Sequence, residues 1–255
     1  MQSGSDRVMD STGALQLADL PKKLLVIGGG YIGLEMGTVY AQLGSQVSVV
    51  ELMEGLLPGA DRDLVAPLAK RLKKLFEDRI FLNTKVGSIA EVGAQIEVTF
   101  EGPAKFGVER YDRVLVSVGR RPCSRDLGLE NTAVTLNDGG FVEVNPNMQT
   151  ADPAIWAVGD VAGEPMLAHK ASHEARVAVE AIMGEPTVWD KVAIPAGGFT
   201  DPEIAWAGRT ESDAKRDNVA YEVAAYPWAA SGRAQALART EGMTKWLVQP
   251  ESNRV

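Results

Sequence analysis

The sequence predicts an α/β fold, a parallel sheet with crossover helices followed by an antiparallel meander, and three patterns predict it. Residues 24–27 (LLVI) form an apolar run of strand length that stops at Gly28 and passes into an amphipathic segment from Tyr31 to Leu43. A second apolar run, residues 46–51 (QVSVVE), follows after Gly44, a natural helix C-cap. Two parallel strands joined by a helix make a right-handed βαβ unit. Further on, residues 86–90, 95–100 and 106–110 alternate apolar and polar side chains, as the strands of a meander do.

The junction of the first strand and helix carries Gly28, Gly30 and Gly33 in G-x-G-x-x-G spacing. Such a unit aims the positive end of a helix dipole, with its unpaired N–H groups, at a pyrophosphate. Gly28 makes the turn, Gly30 has no Cβ to block phosphates, and Gly33 lets helix and strand pack closely, which is the Rossmann-like arrangement. Glu51 ends the second strand 18 positions after Gly33, near the spacing of the acid that binds an adenosine ribose. A carboxylate there accepts both ribose hydroxyls of NAD and repels the 2′-phosphate of NADP, and residues 52–57 contain no Lys or Arg to offset that. NAD is therefore the expected dinucleotide, against the plainer alternative of a solvated glutamate at a strand end.

Composition sets the frame. With 255 residues, 45% of them hydrophobic, the chain can bury a sizeable core. A net charge of −8 with no basic stripe argues against nucleic acid or an anionic membrane as partner. The first residues hold no apolar signal core and no run is long enough to span a bilayer, so a soluble, cytoplasmic setting is expected. Cys123 is the single cysteine, which excludes an intramolecular disulfide.

The remaining elements follow in order. Residues 1–21 read as a polar lead-in. Residues 61–76 predict a helix with Leu64, Val65, Leu68, Leu72, Leu75 and Phe76 on one stripe and Lys70, Arg71, Lys73 and Lys74 towards solvent. A short strand at 80–82 precedes the meander, and residues 113–118 (RVLVSV) return to a buried strand ending at Gly119. From 123 to 147 the chain is loop-like around a short strand at 141–144. An apolar strand then ends in Gly159-Asp160, placing a carboxylate at a sheet's C-terminal edge. Asp160 there can accept hydroxyls from a polyol; a turn or N-cap aspartate is the plainer reading. A helix is predicted over 167–183 with Gly184 as its C-cap. His169 and His173, the only histidines, are spaced i, i+4 on it. Without an H-E-x-x-H pattern or a nearby cysteine, packing or capping is preferred to a metal site. Ser231 lies in Ser-Gly-Arg, not in a nucleophile elbow. Short strands at 192–195, 205–208, 219–225 and 244–248 complete the chain, with a helix start at Thr210-Glu211-Ser212-Asp213.

Seven ordered blocks, GGGYIGLE, VVELMEGLLPGADRDL, VSVGRRP, TADPAIWAVGD, GEPMLAHKASHEA, FTDPEIAWAG and YPWAASGRA, resemble the pyridine nucleotide–disulfide oxidoreductase family from about Asp10 onwards. The stretch PWAASGRA is similar to that of its lipoamide-oxidising members. The resemblance implies an NAD-binding domain at 22–121, the C-terminal part of an FAD-binding domain at 122–189, and part of an α+β interface domain at 190–255. It implies that Gly28, Gly29, Gly30, Tyr31, Ile32, Gly33, Leu34, Glu35 and Glu51 hold NAD, with Val86 near the adenine and Gly119 lining the same cleft. Tyr31 or Ile32 would cover the nicotinamide pocket, and Glu35 would pair with a lysine beside the flavin. Asp160 would bind the ribityl chain of FAD, with Met166, Leu167, Ala168 and His169 along the flavin. The implied activity is flavin-dependent oxidation of dihydrolipoamide with hydride transfer to NAD. It would occur in a homodimer whose partner is the lipoamide-bearing acyltransferase of a 2-oxoacid dehydrogenase complex.

The departures are as specific. Family members carry an FAD-binding glycine motif, a redox-active cysteine pair and a His–Glu dyad, none of which these residues contain. Cys123 stands where Asn is more usual, and one sulfur cannot run a dithiol–disulfide cycle. Gly197-Gly198 interrupts a strand that is normally rich in valine. The expectation is an internal fragment that binds NAD without turnover, with no catalytic residue assigned. The alternatives are a non-catalytic NAD-binding module and a related NADH-dependent flavin disulfide reductase.

Overall fold

The computed structural model describes residues 4–103 and 107–255. Its first elements are β1 (Val8–Met9), α1 (Ser11–Leu15), β2 (Lys23–Ile27), α2 (Tyr31–Gln42), β3 (Gln46–Val50), α3 (Arg62–Leu75) and β4 (Ile80–Phe81). The meander follows as β5 (Lys85–Val92), β6 (Gln95–Glu101) and β7 (Val108–Tyr111), and β8 (Arg113–Val116) returns to the first sheet. That sheet is parallel, in the order β1-β8-β2-β3-β4, with β2 and β3 in register from Lys23 opposite Gln46 to Ile27 opposite Val50.

Alternate residues of β2 serve opposite faces of the sheet, as a two-residue period requires. Leu24 and Val26 pack with Leu34, Leu68, Leu72 and Phe76 on the helical side, whereas Leu25 and Ile27 pack with Val86, Ile96, Val98 and Tyr111 on the meander side. Burial on both faces is why these strands read as continuous apolar runs. The helix stripe forms as expected, with Lys70, Arg71, Lys73 and Lys74 exposed.

Some expectations are corrected. The lead-in contains an edge strand and a short helix: β1 pairs with β8, Asp10 caps α1, and the Tyr40 hydroxyl donates to the Ala14 carbonyl. Two apolar residues are too few to show a period, and their partner strand is remote in the chain. Residues 1–3, and Phe106 at the start of the third meander run, lie outside the described residues.

Chain contacts separate two units, one of Met1–Val118 with Gly197–Val255 and one of Gly119–Ala196. In the second unit, α4 (Ala168–Ile182) lays Val177 and Ala178 on Met148, with Trp156 and Trp189 beside them. The strands expected at 141–144 and before Gly159 are not formed. Each is reduced to one bridge, Leu136 with Val142 and Gln149 with Trp156, because no neighbouring ladder extends either pairing within the unit.

The later part of the first unit contains β9 (Ala196–Gly198), β10 (Ile204–Trp206), α5 (Glu211–Arg216), β11 (Glu222–Pro227), α6 (Gly232–Ala236) and β12 (Met243–Val248). The strand expected at 192–195 is absent: Val192 is fully exposed, and pairing starts after Pro195, which has no N–H to give a ladder. Thr210 and Asp213 close a reciprocal capping box on α5. No helix among the described residues is long and apolar enough to cross a membrane.

Lys245 of β12 ties this part to α3. Its Nζ donates to Asp61 at 2.8 Å, Asp63 at 2.7 Å and Glu211 at 2.9 Å, and its side chain is 3% exposed. Burial alone would lower the lysine's pKa, but the three carboxylates outweigh it and raise it. The hydrogen bond from Lys245 in turn lowers the pKa of Glu211 from its ordinary 4.5. A carboxylate depressed on folding contributes stability above its unfolded pKa and loses it as pH falls through the folded one. Urea titrations are therefore expected to show stability declining as the pH drops below 4.5, less steeply in Glu211→Gln, which has lost that titration.

Candidate functional site

The glycine turn is built from the backbone outwards. Gly28 has φ of +110°, its N–H donates to Val50 O at 2.8 Å, and a Cβ there would lie 2.6 Å from Ser117 O. At Gly33 a Cβ would run into the Gly28 carbonyl and lie 2.6 Å from Ser117 Oγ. The strand and helix therefore touch through backbone. Gly30 is the N-cap of α2 with no side-chain capping bond, and a Cβ there would meet nothing within 4 Å. The space beside Gly30 is thus open, and the first N–H groups of the helix have no intrahelical acceptor.

Glu51 lies beside that opening. It is 8% exposed, so it is not the solvated strand-end glutamate of the plainer reading. Its Oε2 accepts the Gly29 N–H at 2.6 Å and its Oε1 accepts the Met53 N–H at 2.8 Å. A carboxylate has about four lone-pair positions, so acceptor capacity remains. The loop after Glu51 folds onto the turn, with the Leu57 N–H donating to Gly29 O at 2.9 Å. Arg62 holds that loop: its guanidinium donates to the carbonyls of Leu56 (2.7 Å), Leu57 (2.5 Å) and Ala60 (3.2 Å from Nε). The first cation after Glu51 is thereby engaged with backbone carbonyls.

The other expected NAD residues have distinct places. Tyr31 and Ile32 are half-buried in the first turn of α2, and Gly198 of β9 approaches so closely that a Cβ on it would lie 3.3 Å from Tyr31 Cβ. The Gly197-Gly198 pair thus permits a close approach. Glu35 Oε1 accepts the Phe199 N–H at 2.8 Å. Leu34 is fully buried in the helical-side core, and Val86 is buried in the meander-side core with Ile27 and Val50.

Within Gly119–Ala196, Asp160 stands in a 3-10 turn (Gly159–Val161) and pairs with Arg120 at 2.5 Å, while Arg120 also donates to Met166 O at 3.1 Å. The turn is clamped from beneath by a buried ion pair. Lys170 Nζ donates to Gly159 O at 3.2 Å and Gly163 O at 3.0 Å and meets Glu174 Oε1 at 2.9 Å, and Glu174 Oε2 accepts the Gly159 N–H at 2.8 Å. Met166 is buried, Leu167 is the N-cap of α4 without a side-chain capping bond, and Ala168 and His169 are exposed. His169 Nε2 donates to Pro195 O at 2.7 Å, whereas His173 packs edge-on against Trp189 with ring centres 4.7 Å apart. Gly119 has φ of +109° and nothing within 4 Å of a Cβ position.

Sequence reasoning missed Ser117, Arg62 and the Lys170–Glu174 pair. The last was discoverable, because Lys170, Glu174, Val177 and Ala178 share one helical stripe, which places the two charges on the core side. Lys170→Met leaves Glu174 buried without its cation and should cost about 3–5 kcal/mol in a urea titration. Replacing both residues with apolar ones should cost less.

Comparison with known proteins gives a consistent result. A family model described as pyridine nucleotide-disulphide oxidoreductase matches residues 2–175, and one for the dimerisation domain of the same family matches residues 194–255. A dihydrolipoyl dehydrogenase of Haemophilus influenzae is 46% identical over 249 residues, which are 98% of this chain and 52% of that protein. One from Bacillus subtilis is 41% identical over 251 residues, 98% of this chain and 53% of its own. Among solved structures, the HOCl-induced flavoprotein disulfide reductase RclA from Escherichia coli superposes with a TM-score of 0.86 at 31% identity, covering 97% of this chain and 56% of that one. The chain spans about half the length of the curated relatives it matches.

Proposed function

Because the chain belongs to the pyridine nucleotide–disulphide oxidoreductase family, we propose that it carries the NAD site of a dihydrolipoyl dehydrogenase. The observation that carries the reading is the Glu51 carboxylate, held on the Gly29 N–H beside the uncapped start of α2. The residues fit the dinucleotide: the open position at Gly30 admits a pyrophosphate to the helix N-terminus, and Glu51 retains acceptor capacity for a ribose. When bound, NAD supplies the hydride acceptor. Tyr31 and Ile32 would then border the nicotinamide side, with Val86, Leu34 and Glu35 supporting the site.

For FAD, Asp160 in its clamped turn would accept a ribityl hydroxyl, and Met166, Leu167, Ala168 and His169 would lie along the flavin at the uncapped start of α4. The division into an NAD-binding domain (22–121), part of an FAD domain (122–189) and part of an interface domain (190–255) belongs to the same proposal. So do a homodimer, supported by the dimerisation-domain match, a lipoamide-bearing acyltransferase as partner, and a cytoplasmic setting. The 255 residues offer one thiol, Cys123, so they do not themselves supply the dithiol step. The chain by itself is expected to bind NAD without oxidising dihydrolipoamide. The likeness to a flavoprotein disulfide reductase favours a second reading, with the same NAD site serving a different disulfide. The higher identity to dihydrolipoyl dehydrogenases favours the first.

The test is a fluorescence titration of the chain with NADH and NADPH. NADH should bind and NADPH should not. Gly30→Ala places a methyl in open space, so it should leave the melting temperature unchanged and abolish NADH binding. Glu51→Ala should weaken NADH about tenfold, near 1.4 kcal/mol, and narrow the discrimination against NADPH. Unchanged NADH affinity in both variants would remove the assignment.

A further inference from the structure

Two buried charge systems lie in the first unit, Glu51 under the glycine turn and Lys245 among three carboxylates. They are connected through a short covalent and hydrogen-bonded path. Asp61 and Asp63 flank Arg62, the residue that gathers the Leu56, Leu57 and Ala60 carbonyls, and Leu57 N–H holds Gly29 O at 2.9 Å. Asp61 precedes α3 as its N-cap residue, yet its side chain makes no capping bond there; instead it accepts the Glu211 N–H at 3.0 Å and Lys245 Nζ at 2.8 Å. Oxygens of Asp61, Asp63 and Glu211 lie within 4.8 Å of one another. Three carboxylates that close repel unless a cation lies between them, and Lys245 is that cation.

We propose that Lys245 is a positioning residue for the dinucleotide site: by holding Asp61 and Asp63 it fixes Arg62, and through Arg62 the loop that seats Gly29. The proposal rests on the NAD reading above. Lys245 touches neither the turn nor Glu51, and it acts through the loop. Glu211 keeps Lys215 at 3.4 Å, but removing Lys245 takes the cation from Asp61 and Asp63, so these two separate and the Leu57–Gly29 bond loosens.

The test uses the 255-residue chain with NADH as probe, and amide hydrogen exchange at Leu57 without nucleotide. In Lys245→Ala, Leu57 exchange should accelerate and NADH affinity fall about tenfold. Millimolar Mg²⁺ or Ca²⁺, taking oxygen ligands from the three carboxylates once the ammonium group is gone, should restore both in the variant and change neither in the unaltered chain. A general loss of packing would not be reversed in this way. Should Lys245→Ala lose its fold by circular dichroism, Lys245→Gln, which keeps donors without the charge, is expected to move both readouts in the same direction. Unaltered Leu57 exchange in a folded variant, or NADH affinity equal to that of an NADH-binding unaltered chain, would overturn the proposal. If the unaltered chain binds no NADH, the NAD reading fails by itself, and Leu57 exchange still decides whether Lys245 fixes the loop.

Discussion

The rest of the first unit depends on the approach of Gly33 to the Gly28 carbonyl. Because a Cβ at Gly33 would collide with that carbonyl and with Ser117 Oγ, the helix α2 can lie against the turn only with glycine there. That approach sets where the first N–H groups of α2 point, and hence where an anion could be held. Ser117 supports the arrangement from the neighbouring strand by donating to Ile27 O at 3.0 Å. The turn is therefore determined by backbone contacts, and side chains arrange themselves around it.

A second theme is the use of charged side chains to hold backbone, buried in the case of Glu51, Lys170 and Glu174 and exposed in that of Arg62. Glu51 holds two N–H groups, Arg62 three carbonyls, and Lys170 with Glu174 both the N–H and the carbonyl of Gly159. Loops have no ladder to satisfy their polar groups, so a buried loop needs side chains for that purpose. Each of these residues stabilises a segment that presents a candidate binding group, Gly29 and Glu51 in one unit and Asp160 in the other. Removing one partner of the buried Lys170–Glu174 pair leaves a charged group without compensation in a low-dielectric site.

Much of this was legible along the chain. The runs at 24–27 and 46–51, the glycine spacing, the Leu68–Leu72–Phe76 stripe and the Thr210–Asp213 start are local patterns, and each formed where its period or capping residues placed it. The meander was readable for the same reason, since alternation reports a half-buried strand. What failed was pairing. Val8 and Met9 joined the sheet although nothing local marks them, whereas residues 155–158, apolar enough for a strand, formed a single bridge. A strand is a relation between segments, and an apolar run states only one half of it.

The amino-acid sequence by itself determined the βαβ unit, the glycine turn and the acid that ends the second strand, because each is marked by a local pattern, a strand-length apolar run, a helical period or a glycine spacing. Only the tertiary structure decided that Glu51 is buried on the Gly29 N–H, that Arg62 is engaged with carbonyls, and that Lys245 compensates Asp61 and Asp63. A charged side chain shows in sequence as a charge and nothing more. Its partner, its burial and the backbone it holds come from segments that meet only when the chain has folded, Lys245 and Asp61 being 184 positions apart.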